Sequence, residues 1–254
     1  MKFGCCVEPQ WLPFVRDAGY DFAELRCAYT FPDQDKDAWR EQQKSLLATG
    51  IPIHSFNVLL TKGFRVVGPA VDHQALAAYL EIVFQRMRDV GARYVSFGSG
   101  AARTVPAGFP TAQAWQQLRE FVTQLGELGR RYEIMIHIEP LNRTETNIIH
   151  TVSEAAQLAQ EVDLPTVLVL ADLYHMVMEK EDLMDLVTYS SWVGYVHVAD
   201  SQRRFPGSGQ YPYQQLADIL KNSHYDGPIS VECRWQEPEW EIEKSLLYLH
   251  SVFD

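Results

Sequence analysis

The chain is short of positive charge. Its 254 residues carry 22 Lys and Arg against 33 Asp and Glu, a formal net charge of −11. Nucleic acid and anionic membrane surfaces both select a basic face, so neither is an expected partner. Cysteine is scarce as well. Cys5, Cys6, Cys27 and Cys233 form neither zinc-finger spacing nor a C-x-x-C pair. All four are expected within strands, where the side chain acts as a small apolar residue. A reduced, cytoplasmic protein is the simplest reading, and a catalytic thiol is disfavoured. No hydrophobic run reaches transmembrane length. The opening MKFGCCVEPQW meets Glu8 and Gln10 before any useful apolar stretch, so it does not read as a secretory signal. Low-complexity segments and linkers are missing too, and a single domain over residues 1–254 is expected.

What the chain has is alternation. Its 46% hydrophobic content is enough for a large core, and its length matches the roughly 250 residues usual for a (β/α)8 barrel. Strand-like runs are expected at 2–7, 22–26, 51–57, 93–98, 133–139, 166–173, 193–200 and 227–233. Amphipathic stretches separate them. Residues 71–90, for instance, place Leu76, Leu80, Val83, Met87 and Val90 at helical spacing, with Glu81, Gln85 and Arg86 between. Gly19, Gly50, Gly91 and Gly227 precede four of the strands, where an αβ turn often takes a left-handed residue. The fold class expected is α/β, a (β/α)8 TIM barrel.

Four of the runs, YEIMIHIE, TVLVLAD, VGYVHVAD and GPISVE, carry a polar residue at or near their C-terminal ends: Glu139, Asp172, His197 and Glu232. In a parallel barrel those ends converge on one face. Two glutamates, an aspartate and a histidine make a shell for a hard-to-borderline divalent cation. Glu24 and His54, taken as the ends of strands two and three, are expected to face the same pocket. Trp11, Phe14 and Phe56 could form an apolar wall beside it. His137, inside strand five, reads as a hydrogen-bonded core residue, while His73, His224 and His250 read as surface positions and His150 as locally bonded. After strand four, FGSGAARTVP offers backbone N–H groups and the charge of Arg103, a combination suited to a phosphate or another anionic group.

The segments EPLNRTET, DLYH, HVADSQRRFPGSG and VECRW, in this order after strands five, six and seven and at strand eight, resemble the sugar phosphate isomerase/epimerase superfamily with the xylose isomerase-like barrel. Within it they are most similar to the ketose 3-epimerases acting on D-tagatose and D-psicose. The resemblance implies Glu139, Asp172, His197 and Glu232 as ligands of one divalent cation. Mn²⁺ is expected first, with Mg²⁺, Co²⁺ or Zn²⁺ as alternatives. It also implies Glu139 and Glu232 as acid and base, Glu145, His175 and Arg203 as substrate contacts, and a sugar or sugar derivative as substrate. Homodimers and homotetramers are common in this superfamily.

The chemistry accords with that pattern. Removing a proton beside a carbonyl leaves an enediolate, and a carboxylate on each side of the substrate plane can take a proton from one face and return one to the other. The turn RFPGSG is expected over the mouth, with Arg204 as a second basic group. An aldose–ketose isomerase, including one acting on hydroxypyruvate, needs the same metal and base pair and is the main rival. An abasic-site endonuclease on this barrel would need an Asp-x-His pair after strand seven, and FPGSGQYPY lacks it. A non-catalytic sugar-binding barrel would be marked by a lost carboxylate, and none is missing.

Overall fold

The computed structural model describes residues 1–61 and 63–254. Eight parallel strands close in sequence order: β1 Lys2–Cys6, β2 Phe22–Arg26, β3 Ile53–Asn57, β4 Tyr94–Phe97, β5 Met135–Ile138, β6 Val167–Asp172, β7 Val193–Val198 and β8 Pro228–Val231. Each lies within its expected run. The strands are buried on both sides and read as near-continuous apolar segments, as a helix-wrapped parallel sheet requires. The main core lies between strands and helices, while Phe22, Leu170 and Tyr195 form a separate cluster with Tyr94 packed against it. His137 packs among Tyr94 and Tyr195 at 5.7 and 5.4 Å, and burial drops its pKa to about 3. It is a core histidine, as expected, but its buried Nδ1 has no hydrogen-bond partner, so the expected hydrogen bond is not made there.

Local signals set the connections. The helix His73–Asp89 buries Leu76, Leu80, Val83 and Met87, and Asp72 caps it by accepting from the Ala75 amide at 2.9 Å. Val90 falls one residue past its end. Gly19, Gly50 and Gly91 hold φ of +94°, +80° and +88°, the left-handed turns that L side chains resist. Gly227 differs: its φ is not left-handed, and a Cβ there would meet the Tyr225 hydroxyl at 2.5 Å. Two cysteines also depart from expectation. Cys27 opens the short turn Cys27–Thr30, and Cys233 lies two residues beyond β8. Among the described residues no helix is long and apolar enough to cross a membrane.

Register brings the polar residues together. Asp172 pairs with His197 across β6 and β7, and the Glu232 amide donates to the Val198 carbonyl at 3.1 Å. On the neighbouring strands Cys6 pairs with Glu24, and Arg26 with Asn57. Apart from Glu24, which lies in the middle of β2, these residues sit at or just past C-terminal strand ends, the face where barrels of this kind assemble their sites.

Candidate metal centre and the cleft above it

Glu139, Asp172, His197 and Glu232 each offer a ligand atom, and these atoms all lie within 4.8 Å of one another. His197 Nδ1 is 3.4 Å from Glu139 Oε1 and 3.4 Å from Glu232 Oε2. On its other side Nε2 faces the two Glu24 oxygens at 3.0 and 3.1 Å. That contact assigns the proton to Nε2 and leaves the Nδ1 lone pair directed at the carboxylates. Three buried atoms here have no hydrogen-bond partner: Asp172 Oδ2, His197 Nδ1 and His175 Nε2. Unpaired polar atoms in a buried site are costly, and the first two are donors of the kind a divalent cation takes up. The residues present fit such an ion.

The electrostatics agree. Burial alone would lower the His197 pKa, yet the charges of Glu24 and Glu232 and the contact with Glu139 lift it well above the usual imidazole range. The field that favours a proton at this point favours a metal cation there equally. The two glutamates are set in opposite directions. Burial pushes the Glu139 carboxyl up, assisted by the charge of Glu232 and opposed by the neighbouring His197 ring. Burial would also raise Glu232, but Arg203 and His197 hold it far below the ordinary carboxylate range.

Behind the cluster stands a layer of positioning groups that the sequence reading missed or placed otherwise. Glu24 is fully buried, accepts from the Tyr195 hydroxyl at 2.8 Å, and orients His197 from below instead of lining the pocket. Asn57, at the end of β3, donates to Glu232 Oε1 at 2.6 Å. Asn142 of the EPLN segment contacts His175 Nδ1 through its side-chain amide at 2.8 Å and through its backbone N–H at 3.2 Å, which leaves Nε2 3.6 Å from Asp172. The signal for Asn57 and Asn142 was present, since both are polar residues at or just past strand ends. Glu24→Gln is expected to lower affinity for Mn²⁺ by roughly 10–100-fold, read by Mn²⁺ titration. Unchanged affinity would deny Glu24 this role.

The FGSG turn serves Glu139, not an anion. Arg103 is fully buried, and its guanidinium donates to the carbonyls of Phe97 at 3.0 Å, Glu139 at 2.7 Å and Ile149 at 3.4 Å. It is removed as a substrate contact. A methyl group on Gly98 would overlap the Glu139 carboxylate. Gly98→Ala is therefore expected to displace that flexible side chain while keeping the fold. For the acid–base role that the resemblance implies for Glu139, turnover should fall about 100-fold or more, because misplacing a reacting group by an ångström costs that much, with the melting temperature nearly unchanged. Wild-type turnover would show that the position of Glu139 is not critical.

Above the cluster opens a cleft of about 890 Å³. Arg203 crosses its floor: Nη2 is 2.5 Å from Glu232 and 3.8 Å from Asp172, Nη1 is 3.4 Å from Glu145, and its guanidinium carbon lies 5.0 Å from the Tyr174 ring centroid. Gln202 and Arg203 hold φ of +61° and +57°, a strained pair of left-handed residues of the kind that collects at functional sites. His175 is buried beside Asp172, and Glu145 is part-exposed at the rim. The other expectations sort differently. His54 is not at the mouth: its ring stacks on Phe22 at 5.9 Å, and its pKa is lowered by burial and by Lys2 and Arg93, which flank the opposite strand ends. Trp11 lines the cleft, Phe14 packs on Trp11 at 5.5 Å, and Phe56 is wholly buried in the core.

The RFPGSG turn folds against the helix Pro238–Phe253 instead of over the mouth. Phe205 packs on Trp240 at 5.4 Å, and Arg204 pairs with Glu241 at 2.8 Å. Buried Asp200 ties the turn down by accepting from the Ser201, Gly207 and Tyr211 amides. His73, His224 and His250 are exposed, and His150 bonds locally to the Leu141 carbonyl at 2.9 Å, all as expected.

The family model for the xylose isomerase-like TIM barrel matches residues 12–252. The 3-dehydro-D-guloside 4-epimerase of Escherichia coli (strain K12) is 32% identical over 130 residues, half of each chain. The L-ribulose 3-epimerase of Mesorhizobium japonicum is 24% identical over 224 residues, 86% of this chain and 72% of that one. Several curated relatives are matched over only about half their length. A crystal structure of D-psicose 3-epimerase with D-fructose superposes with a TM-score of 0.85 at 18% identity, over 100% of this chain and 99% of that one. At that identity the likeness is one of fold.

Proposed function

Because the chain belongs to the xylose isomerase-like TIM-barrel family, we propose that it is a metal-dependent sugar epimerase that inverts C3 of a ketose by moving a proton. One observation carries this reading: two carboxylates, after β5 and β8, flank a single point, each 3.4 Å from His197 Nδ1. A carboxylate on each side of a substrate plane is the arrangement expected of a base and an acid. The likeness to enzymes named D-psicose and L-ribulose 3-epimerases supports the choice of C3.

Glu232, held anionic by Arg203, is placed to take the proton beside the carbonyl. Glu139, across the cluster, is placed to return one to the opposite face, and the roles reverse for the epimer. Glu139, Asp172, His197 and Glu232 would hold one divalent cation, of which Mn²⁺, Mg²⁺ or Co²⁺ suits an oxygen-rich set with one imidazole, and which would neutralise charge developing on the carbonyl oxygen. His175 Nε2, unpartnered and buried, is free to bond a substrate hydroxyl. Arg203 offers a planar fork to neighbouring sugar oxygens, and Glu145 an acceptor at the rim.

The test is product analysis with Mn²⁺-loaded protein and D-fructose, D-tagatose and L-ribulose. The C3 epimer is expected. An aldose product would reassign the protein to aldose–ketose isomerisation, and no product with metal bound would overturn the ketose reading.

A further inference from the structure

The cleft is larger than its reacting end requires. At about 890 Å³ it lies near the top of the roughly 300–1,000 Å³ range of sites that enclose drug-sized ligands, and one free ketose leaves most of it empty. Glu232, Arg203, Tyr174 and Glu145 occupy the metal end. The remainder is built from a different set, chiefly Trp11, Trp235, Tyr29, Arg26, Arg234 and Glu8. Among the described contacts none of these six side chains bonds to the four ligand-type residues.

Their chemistry is specific. Trp235 donates its indole N–H to the Cys6 carbonyl at 2.9 Å, which pins the indole edge to the end of β1 while the ring lines the cleft. Trp11 is braced by Phe14. Two indoles and a phenol offer broad apolar faces with polar edges, suited to the C–H face of a sugar ring. Arg26 and Arg234 are exposed and have no salt bridge among the described residues, so their forks are available to pairs of hydroxyls. Glu8 and Arg26 both act on Tyr29. A phosphate bound there would face the Glu8 carboxylate as well as the guanidinium, whereas neutral hydroxyls satisfy both.

We propose that the Trp11–Trp235 half of the cleft is a second sugar subsite, and that the reacting α-hydroxyketone carries a second sugar ring. The reacting end of this proposal rests on the epimerase reading above.

The experiment compares kcat/KM for matched pairs of substrates: D-fructose against 4-O-glucosylfructose, and methyl 3-ketoglucoside against 3-ketomaltose. The first pair represents a glycosylated ketose, inverted at C3, and the second a keto-glycoside, whose carbonyl occupies C3 and whose neighbouring C4 would be inverted; the pair that turns over identifies the source, and turnover of the second pair alone would move the reaction from C3 to C4. The disaccharide is expected to exceed its partner by about tenfold or more. Trp235→Ala should lower the disaccharide-to-monosaccharide ratio by about tenfold. Arg234→Met should lower the same ratio and serves as the second variant if Trp235→Ala folds poorly. Equal values for both members of a pair, or a ratio untouched by the variants, would overturn the subsite and leave the epimerase reading standing. Failure of all four substrates would overturn the epimerase reading, and the subsite is then judged with unreactive maltose by calorimetry. Binding that Trp235→Ala weakens would sustain it; no binding, or binding indifferent to the variants, would end it.

Discussion

Glu232→Gln is expected to leave the barrel folded and to lower turnover by roughly 10²–10⁴-fold, the usual contribution of a positioned acid or base. The amide keeps the shape of the carboxylate and can still accept the Asn57 hydrogen bond, made at 2.6 Å in the wild type. It cannot take a proton, and it loses the charge opposed to Arg203 at 2.5 Å. Arg203 keeps Glu145 and Asp172 as neighbouring carboxylates at 3.4 and 3.8 Å, so the barrel tolerates the lost charge. Two readouts separate its roles. Weaker Mn²⁺ binding should accompany the lost turnover, and saturating Mn²⁺ should not restore the rate. Full activity at saturating metal would mean that Glu232 is a ligand and not a base.

Arg103→Met is expected to act on stability. The guanidinium is wholly buried and serves the Phe97, Glu139 and Ile149 carbonyls. Burial lowers its pKa to about 10, with Glu139, Glu145 and Glu154 opposing that shift, so it remains charged at neutral pH. The Phe97 and Ile149 carbonyls also accept the Glu139 and Leu141 amides, so only the Glu139 carbonyl is left unpaired, at about 1–3 kcal/mol, partly offset by removing a buried charge. A net loss of about 2 kcal/mol corresponds to a fall of roughly 4–8 °C in melting temperature for a chain of this size. An anion-binding Arg103 would instead leave the melting temperature unchanged and weaken only the binding of phosphorylated or acidic sugars. Thermal unfolding of the variant decides between them.

The contrast between these residues shows what was legible in the chain. Glu232, Glu139, Asp172 and His197 could be read in advance because a parallel barrel converts strand ends into neighbours, so run boundaries alone bring them together. The eight runs were legible for the same reason, being apolar on both faces. Arg103 was not, because two of its three carbonyl partners, Glu139 and Ile149, lie 36 and 46 residues away, and nothing in FGSGAAR announces that they need a donor. His54 failed through position along the strand: β3 continues to Asn57, so Asn57 reaches the mouth and His54 lies toward the opposite end. Glu24 was expected at the end of strand two but lies in the middle of β2, which continues to Arg26, and it serves His197 from below, a role that depends on packing depth, which periodicity does not encode. The RFPGSG turn followed its own anchors, Asp200 and the pairing of Arg204 with Glu241, away from the mouth.

The measurement closest to the central claim is the fate of hydrogen at the inverted carbon, followed by NMR in D₂O with Mn²⁺-loaded protein and D-fructose. Two carboxylates, one taking a proton and the other giving one, oblige the epimer to carry solvent deuterium at C3 from its first appearance. That result is the one predicted. An epimer that keeps its original C3 hydrogen would contradict proton exchange between Glu139 and Glu232, however well the four residues bind a metal.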